Sequence, residues 1–439
     1  MEPFVGSFGK YITSSKRNDM KIVLVNKFYY RRAGAEAYLL DLEALLIAAG
    51  HEVAIFATNH PETLPSKWSG YFVDAPSFNT RAGIIEDART VAHMIWSRSA
   101  AKAFRRLLND FQPDIIHLHN IYHHLSPSLL PVARRAGIPV VQTIHDYKWV
   151  CPNYTLWTNH EQCERCHVYR YWNAVRYRCV QGSRSASFAA VLEMSIHRAL
   201  QVYERDVARF ITPSAFVRDL LIRWGKEGTR IIHLPNAVDL SRIPPSSLHA
   251  GNGVVFVGRM EEWKGVRVVL AVAESAPDIS FRFVGGGPLE AELRQRAAEL
   301  GLSNVTFLGV QPREVVYQEM QNARVVVVPS LGKDPFPTTA LEAGALGKVV
   351  VGSRAGGIPE IVRDQETGIL VPPGDVAALL DAIRRLEDDA ALAMRYGAAA
   401  EQHVRALVDP VAHRTRLLAL YEAVILEQQI KKQKIRPAF

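Results

Sequence analysis

Apolar residues in this chain gather into short uninterrupted runs, each closed by glycine, proline or polar residues and followed by a longer stretch with helical spacing. KIVLV at 21–25 is the first such run; after it come the loop NKFYYRRAGAE, an apolar-periodic segment stopped by Gly50, and a second run, HEVAIFAT. Strand, helix, strand in that order is the unit of parallel sheets with helices on both faces. The alternation continues with a predicted loop over 58–83, a helix over 84–111, strand DIIHLHN, helix SPSLLPVARRAG and strand IPVVQTIHD. A helix over 185–209, strand FITPS, a helix over 215–224 and strand RIIHLPN complete this half. SRIPPSSLHAGNG, rich in Pro, Ser and Gly, then interrupts the pattern and reads as a linker. A second alternating set follows, with strands VVFVGR, SFRFVGGG, NVTFLG, RVVVVPS and KVVVG. The expectation is an α/β protein of two Rossmann-like domains, 20–240 and 253–405, joined by a linker at 241–252. Residues 406–439 are expected to form a helix that packs back towards the first domain and ends in a basic tail. Residues 1–19 read as an extension without fixed structure.

Length agrees with two domains, since 439 residues exceed the ~250–300 at which a single core stops growing. Hydrophobic residues at 48% and charged residues at 22% exclude a largely disordered chain. The net charge of +8 suits an anionic substrate, a membrane surface or nucleic acid, and alone selects none of them. Nucleic acid is set aside because the basic residues are dispersed and no reader motif accompanies them. No apolar run approaches the ~18 residues of a membrane span, and residues 1–19 lack the apolar core of a signal peptide. Four cysteines in so long a chain fit a reducing cytoplasm. Arg98, Lys102, Arg105 and Arg106 lie along one side of the 84–111 segment, either as a solvated face or as a contact for anionic lipid.

Sheets of this kind collect ligands at the C-terminal ends of their strands. That places Gly34, Arg31 and Arg32 after the first strand, with Gly34 suited to a close backbone approach and the arginines either solvated or facing an anionic acceptor. It also places His145 and Asp146 at a strand end, whereas His117 and His119 alternate with apolar neighbours and read as core or wall. All four cysteines, Cys151, Cys163, Cys166 and Cys179, fall in an irregular insert at 147–182, with eleven, two and twelve residues between them. Four thiolates around a central C-x-x-C are one candidate structural zinc site, with unligated thiols the main alternative and disulfides the third.

In the second half, KDPFPTTALEAGALGKVVVGSRAGGIPE at 333–360 carries Asp334 on a loop, enters a helix through Phe336, Pro337, Thr338 and Thr339, and sets Glu342 one turn inside. Open N–H donors and the helix dipole favour a phosphate at such a start, which leaves the two acids to read hydroxyls. Arg259 and Lys264, at the end of an earlier strand, are cations placed to neutralise a diphosphate.

AGAE, HD, PNAVD, GRMEEWKG, VGGGPLEAEL and the D-x7-E pair followed by GGIPE occur in one order. In that combination the chain resembles the retaining glycosyltransferases of family 4, from about residue 20 to 421. The resemblance implies the GT-B arrangement, two Rossmann-like domains facing each other across a cleft. It implies transfer of a sugar from a UDP- or GDP-sugar to a saccharide or lipid-linked acceptor in cell-surface polysaccharide or lipid-linked saccharide assembly, in the cytoplasm or at the inner face of its membrane, with no catalytic metal. It further implies that Glu342 holds the ribose, that Arg259 and Lys264 meet the diphosphate with Gly34 opposite, and that His145 stands near the sugar. Asp334 takes the place of the family's usual glutamate as reader of the transferred sugar. A sugar-nucleotide epimerase of the same shape and an inactive sugar-nucleotide-binding subunit remain as alternatives.

Overall fold

The computed structural model describes residues 19–76, 83–246 and 249–435. The extension before residue 19, part of the linker at 247–248 and the last four residues of the basic tail lie outside them. Two six-stranded sheets, parallel throughout, form the frame. In spatial order the first is built from Glu52–Phe56, Lys21–Val25, Ile115–Leu118, Val140–Thr143, Arg209–Thr212 and Ile231–His233. The second runs Val305–Gly309, Phe281–Val284, Val254–Val257, Val325–Val328, Val349–Ser353 and Gly368–Val371. Both follow the doubly wound order expected from the sequence.

The strands read as unbroken apolar runs because both sheet faces are covered. Ile22 and Leu24 enter one core while Val23 and Val25 enter the core behind the sheet, the two-residue alternation of a strand spent on two hydrophobic layers. In the second domain Val326 and Val328 pack on one side, Val325 and Val327 on the other. Each fully buried side chain of this size contributes about 2 kcal/mol. The long terminal helix Pro410–Ile435 lays Leu417, Tyr421 and Val424 into the core of the first domain. Its polar residues follow: Tyr421 Oη lies 2.6 Å from His117 Nδ1, and His413 Nε2 lies 3.0 Å from the Tyr38 hydroxyl.

Two predicted helices are broken. The segment 84–111 divides into Ile84–Ile95 and Arg98–Phe111, because the buried Ser97 takes extended geometry and its hydroxyl accepts from Ala100 N at 3.2 Å, a local cap that starts a new helix. The segment 185–209 divides into Arg184–Ala199 and Val202–Asp206 at Gln201, which has φ of 47°, and Arg209 already belongs to a strand. Arg98, Lys102, Arg105 and Arg106 are all exposed. Among the described residues no helix is long and apolar enough to cross a membrane.

Candidate active site

Loops at the C-terminal edge of the second sheet converge on Lys264. The residues after strand Val325–Val328 are tied beside it, since Leu331 N and Gly332 N both donate to Trp263 O, at 2.8 and 2.9 Å. This places Asp334 Oδ2 2.5 Å from Lys264 Nζ, with the carboxylate nearly buried at 4% exposure. Gly356 makes the fit possible: it has φ of +60°, and a Cβ there would stand 2.1 Å from Asp334 O. Arg259 is more open, at 69% exposure, and pairs with Glu261 at 2.7 Å. Glu261 in turn accepts from Trp263 Nε1 at 2.7 Å.

The helix Thr338–Ala345 starts at Pro337 with no side-chain cap, so its first-turn N–H groups face the same space. Phe336 is buried behind them. One turn inside, the buried Glu342 is met by Arg313, which holds the carboxylate in an ion pair and donates from Nε to the Tyr317 hydroxyl at 2.8 Å. Burial pushes the Glu342 carboxyl above its ordinary range, against the pull of Arg313 and Arg31. Each acid of the pair therefore has its own cation. Arg313 is absent from the sequence expectations, because nothing in the spacing of one chain links the start of one helix to a carboxylate in the next but one element.

Across the cleft, Gly34 opens the helix Gly34–Ala48, and a Cβ on it would come within 3.2 Å of the Thr338 methyl. The close approach at this glycine is thus to the start of the helix Thr338–Ala345. The arginines beside it separate. Arg31 pairs with Asp41 at 2.5 Å and lies on the Glu342 side of the cleft, whereas Arg32 rests over the Phe28 ring at 4.9 Å.

His145 is one member of a histidine stack. Its Nε2 lies 2.9 Å from His119 Nδ1 with the rings nearly parallel, and His119 stacks on His117 at 4.4 Å. Tyr421 and Thr143 hold the two nitrogens of the fully buried His117, so the terminal helix supports the base of the stack. Burial drives His117 and His145 down to about 3 and His119 well below its ordinary value, so all three are neutral at physiological pH. Asp146 is turned inward: Tyr122 Oη and Lys148 N donate to it at 2.7 and 2.9 Å.

The four cysteines come into one neighbourhood as free thiols, Cys151 and Cys166 within the first domain's core and Cys179 against it. Among the described residues no three His, Cys, Asp or Glu side chains form a group that could hold a metal ion. Cys151 Sγ donates to Asn153 Oδ1 at 2.8 Å, while Cys163 is half-buried beside Arg165. Burial raises the Cys151 thiol to about 11.

Comparison with known proteins meets this geometry from outside. The model of the family "Glycosyltransferase Family 4" matches residues 32–242, and that of "Glycosyl transferases group 1" matches residues 245–403. A phosphatidyl-myo-inositol mannosyltransferase of Mycobacterium leprae is 29% identical over 407 residues, covering 89% of this chain and 93% of the relative. Among solved structures, sucrose-phosphate synthase of Thermosynechococcus elongatus superposes with a TM-score of 0.67 at 22% identity, over 93% of this chain and all of that one. Anabaena HepE, solved with UDP-glucose, superposes with a TM-score of 0.62 at 18% identity, over 92% of this chain and all of that one.

Proposed function

The chain belongs to the family 4, group 1 glycosyltransferases, and from that premise we propose that it moves a sugar, with retention of anomeric configuration, from a nucleoside diphosphate sugar to a saccharide or lipid-linked acceptor in glycolipid or polysaccharide assembly. The observation that carries the reading is the doubled acid–cation arrangement, Asp334 with Lys264 and Glu342 with Arg313, on either side of an uncapped helix start. A nucleotide sugar presents matching chemistry: two phosphates between two sets of hydroxyls. Support for the donor class also comes from the relatives, one named for mannosyl transfer to a phosphoinositide and one solved with UDP-glucose.

In this reading the diphosphate enters between Lys264, Arg259 and the Thr338 end of the helix. Negative charge grows on it as the sugar leaves, so these donors stabilise the transition state more than the bound donor. Glu342, oriented by Arg313, accepts from the ribose hydroxyls, and Asp334 accepts from hydroxyls of the sugar. His145, neutral and braced by His119, offers a hydrogen bond at the sugar without adding a cation. The test is incubation of the purified protein with UDP-, GDP- and ADP-sugars and a crude lipid acceptor, with products read by mass spectrometry. Transfer from one donor class is expected. Donor binding without product would favour the inactive subunit, and conversion of donor without acceptor would favour an epimerase.

A further inference from the structure

The cysteine-rich insert has a task that its irregular sequence does not announce. Trp157–Thr158 and Glu161–Gln162 form an antiparallel hairpin whose turn residues, Asn159 and His160, have φ of 50° and 62°. Such positive values suit the tight turn of a two-residue hairpin. Its base is fixed in the first domain, since Leu156, Cys151 and Cys166 are buried in that core. Its far side belongs to the other domain. Gln162 Nε2 donates to Leu331 O at 2.8 Å, Glu164 pairs with Lys333, and His160 Nδ1 lies 3.7 Å from Glu262. From the N-cap of the helix Ala215–Arg223, also in the first domain, Ser214 Oγ donates to Pro335 O at 2.7 Å.

Leu331, Lys333 and Pro335 are alternate residues of the loop that carries Asp334, and each is held by the first domain. Within the second domain the loop is held through Trp263 O, the Lys264 pair and Gly357 N, which donates to Asp334 O at 2.8 Å. We propose that Gln162, Glu164 and Ser214 are positioning residues for Asp334: the first domain grips the sugar-reading loop on both flanks, so that this acid is set for the transferred sugar only while the two domains are together. The proposal rests on the nucleotide-sugar reading above. Its consequence is selective, because Glu342, Arg313, Arg259 and the helix start, which hold the nucleotide and part of the diphosphate, make no contact with Gln162 or Glu164, and Lys264 alone joins the diphosphate site to the loop, through Asp334.

The test compares UDP and GDP with their hexose derivatives as probes, using titration calorimetry for binding and turnover with acceptor. In Gln162→Ala/Glu164→Ala protein, affinity for the free nucleoside diphosphate should match wild type, while kcat with the nucleotide sugar falls about tenfold. A Glu164→Lys/Lys333→Glu exchange should recover most of the turnover that Glu164→Lys alone loses, which loss of fold could not do. Unchanged kcat in the double variant, or equal loss of nucleoside diphosphate binding, would overturn the proposal. Wild-type protein that binds no nucleotide sugar would instead overturn the function on which it rests.

Discussion

On the second-domain side of the cleft each buried acid is matched by a cation, Asp334 by Lys264 and Glu342 by Arg313. On the first-domain side the strand-end groups are imidazoles kept neutral by burial, stacked from His117 through His119 to His145, while Arg31 stands apart from them near Glu342. The difference follows from what each side meets in the proposed reaction. A departing diphosphate needs fixed positive charge, whereas a sugar carries only hydroxyls, and a cation held against it would add desolvation cost without a partner. The charged side is assembled from loops and one helix start, while the neutral side is braced by a helix from the far end of the chain.

The largest effect is expected at the charged side. Lys264→Ala should lower kcat/KM for the donor by about 10²–10³-fold, the scale for losing one donor aimed at developing charge. Near-normal turnover would remove Lys264 from the diphosphate. Arg313→Ala should act less severely, raising donor KM roughly tenfold with kcat largely kept. It would leave Glu342 buried without its hydrogen-bonded cation, and a charge-assisted bond of this kind is worth ~1.5–3 kcal/mol. An unchanged KM would show that Glu342 orients itself.

On the neutral side His145→Phe should lower kcat about tenfold and leave donor KM in place, as expected for one hydrogen bond. If His145 acted as a cation, wild-type kcat would instead fall as pH rises through 6–7. The buried histidines also set a stability slope. His117 and His145 are at about 3 in the folded protein against an ordinary 6.5, so the unfolded chain binds more protons between those values. Stability should therefore be complete above pH 6.5 and fall as pH drops towards 3, by roughly 1 kcal/mol per histidine per pH unit. Urea midpoints at pH 7 and pH 5.5 measure it. The smallest effect is expected from chelation: since Arg259, Lys264 and the helix start supply the positive charge, EDTA should leave turnover unchanged, and loss of activity restored by a divalent cation would contradict that assignment.

The placement of the second domain's candidate residues was largely legible because they come together close to where they sit in sequence. Asp334, the helix entry and Glu342 lie within one stretch, and Lys264 follows a strand whose neighbours the alternation predicts. Arg313 was not legible, as its pairing with Glu342 depends on how two helices pack. The same limit applies to His145, whose strand-end position was readable while its support by Tyr421, His117 and His119 was not. Helix breaks at Ser97 and Gln201 escaped detection because apolar spacing continues across them, and only the cap at Ser97 and the left-handed Gln201 end the turns. The cysteine spacing left a metal site and unligated thiols open, and it gave no sign that the insert buries Cys151 and Cys166 in the core while turning its polar edge across the cleft.

The most direct measurement is the configuration of the product. Purified protein supplied with an α-configured nucleotide sugar and a lipid-linked or saccharide acceptor should yield an α-glycoside by proton NMR, with one nucleoside diphosphate released per sugar transferred. A β-glycoside, or failure to consume any UDP- or GDP-sugar in the presence of acceptor, would contradict the account.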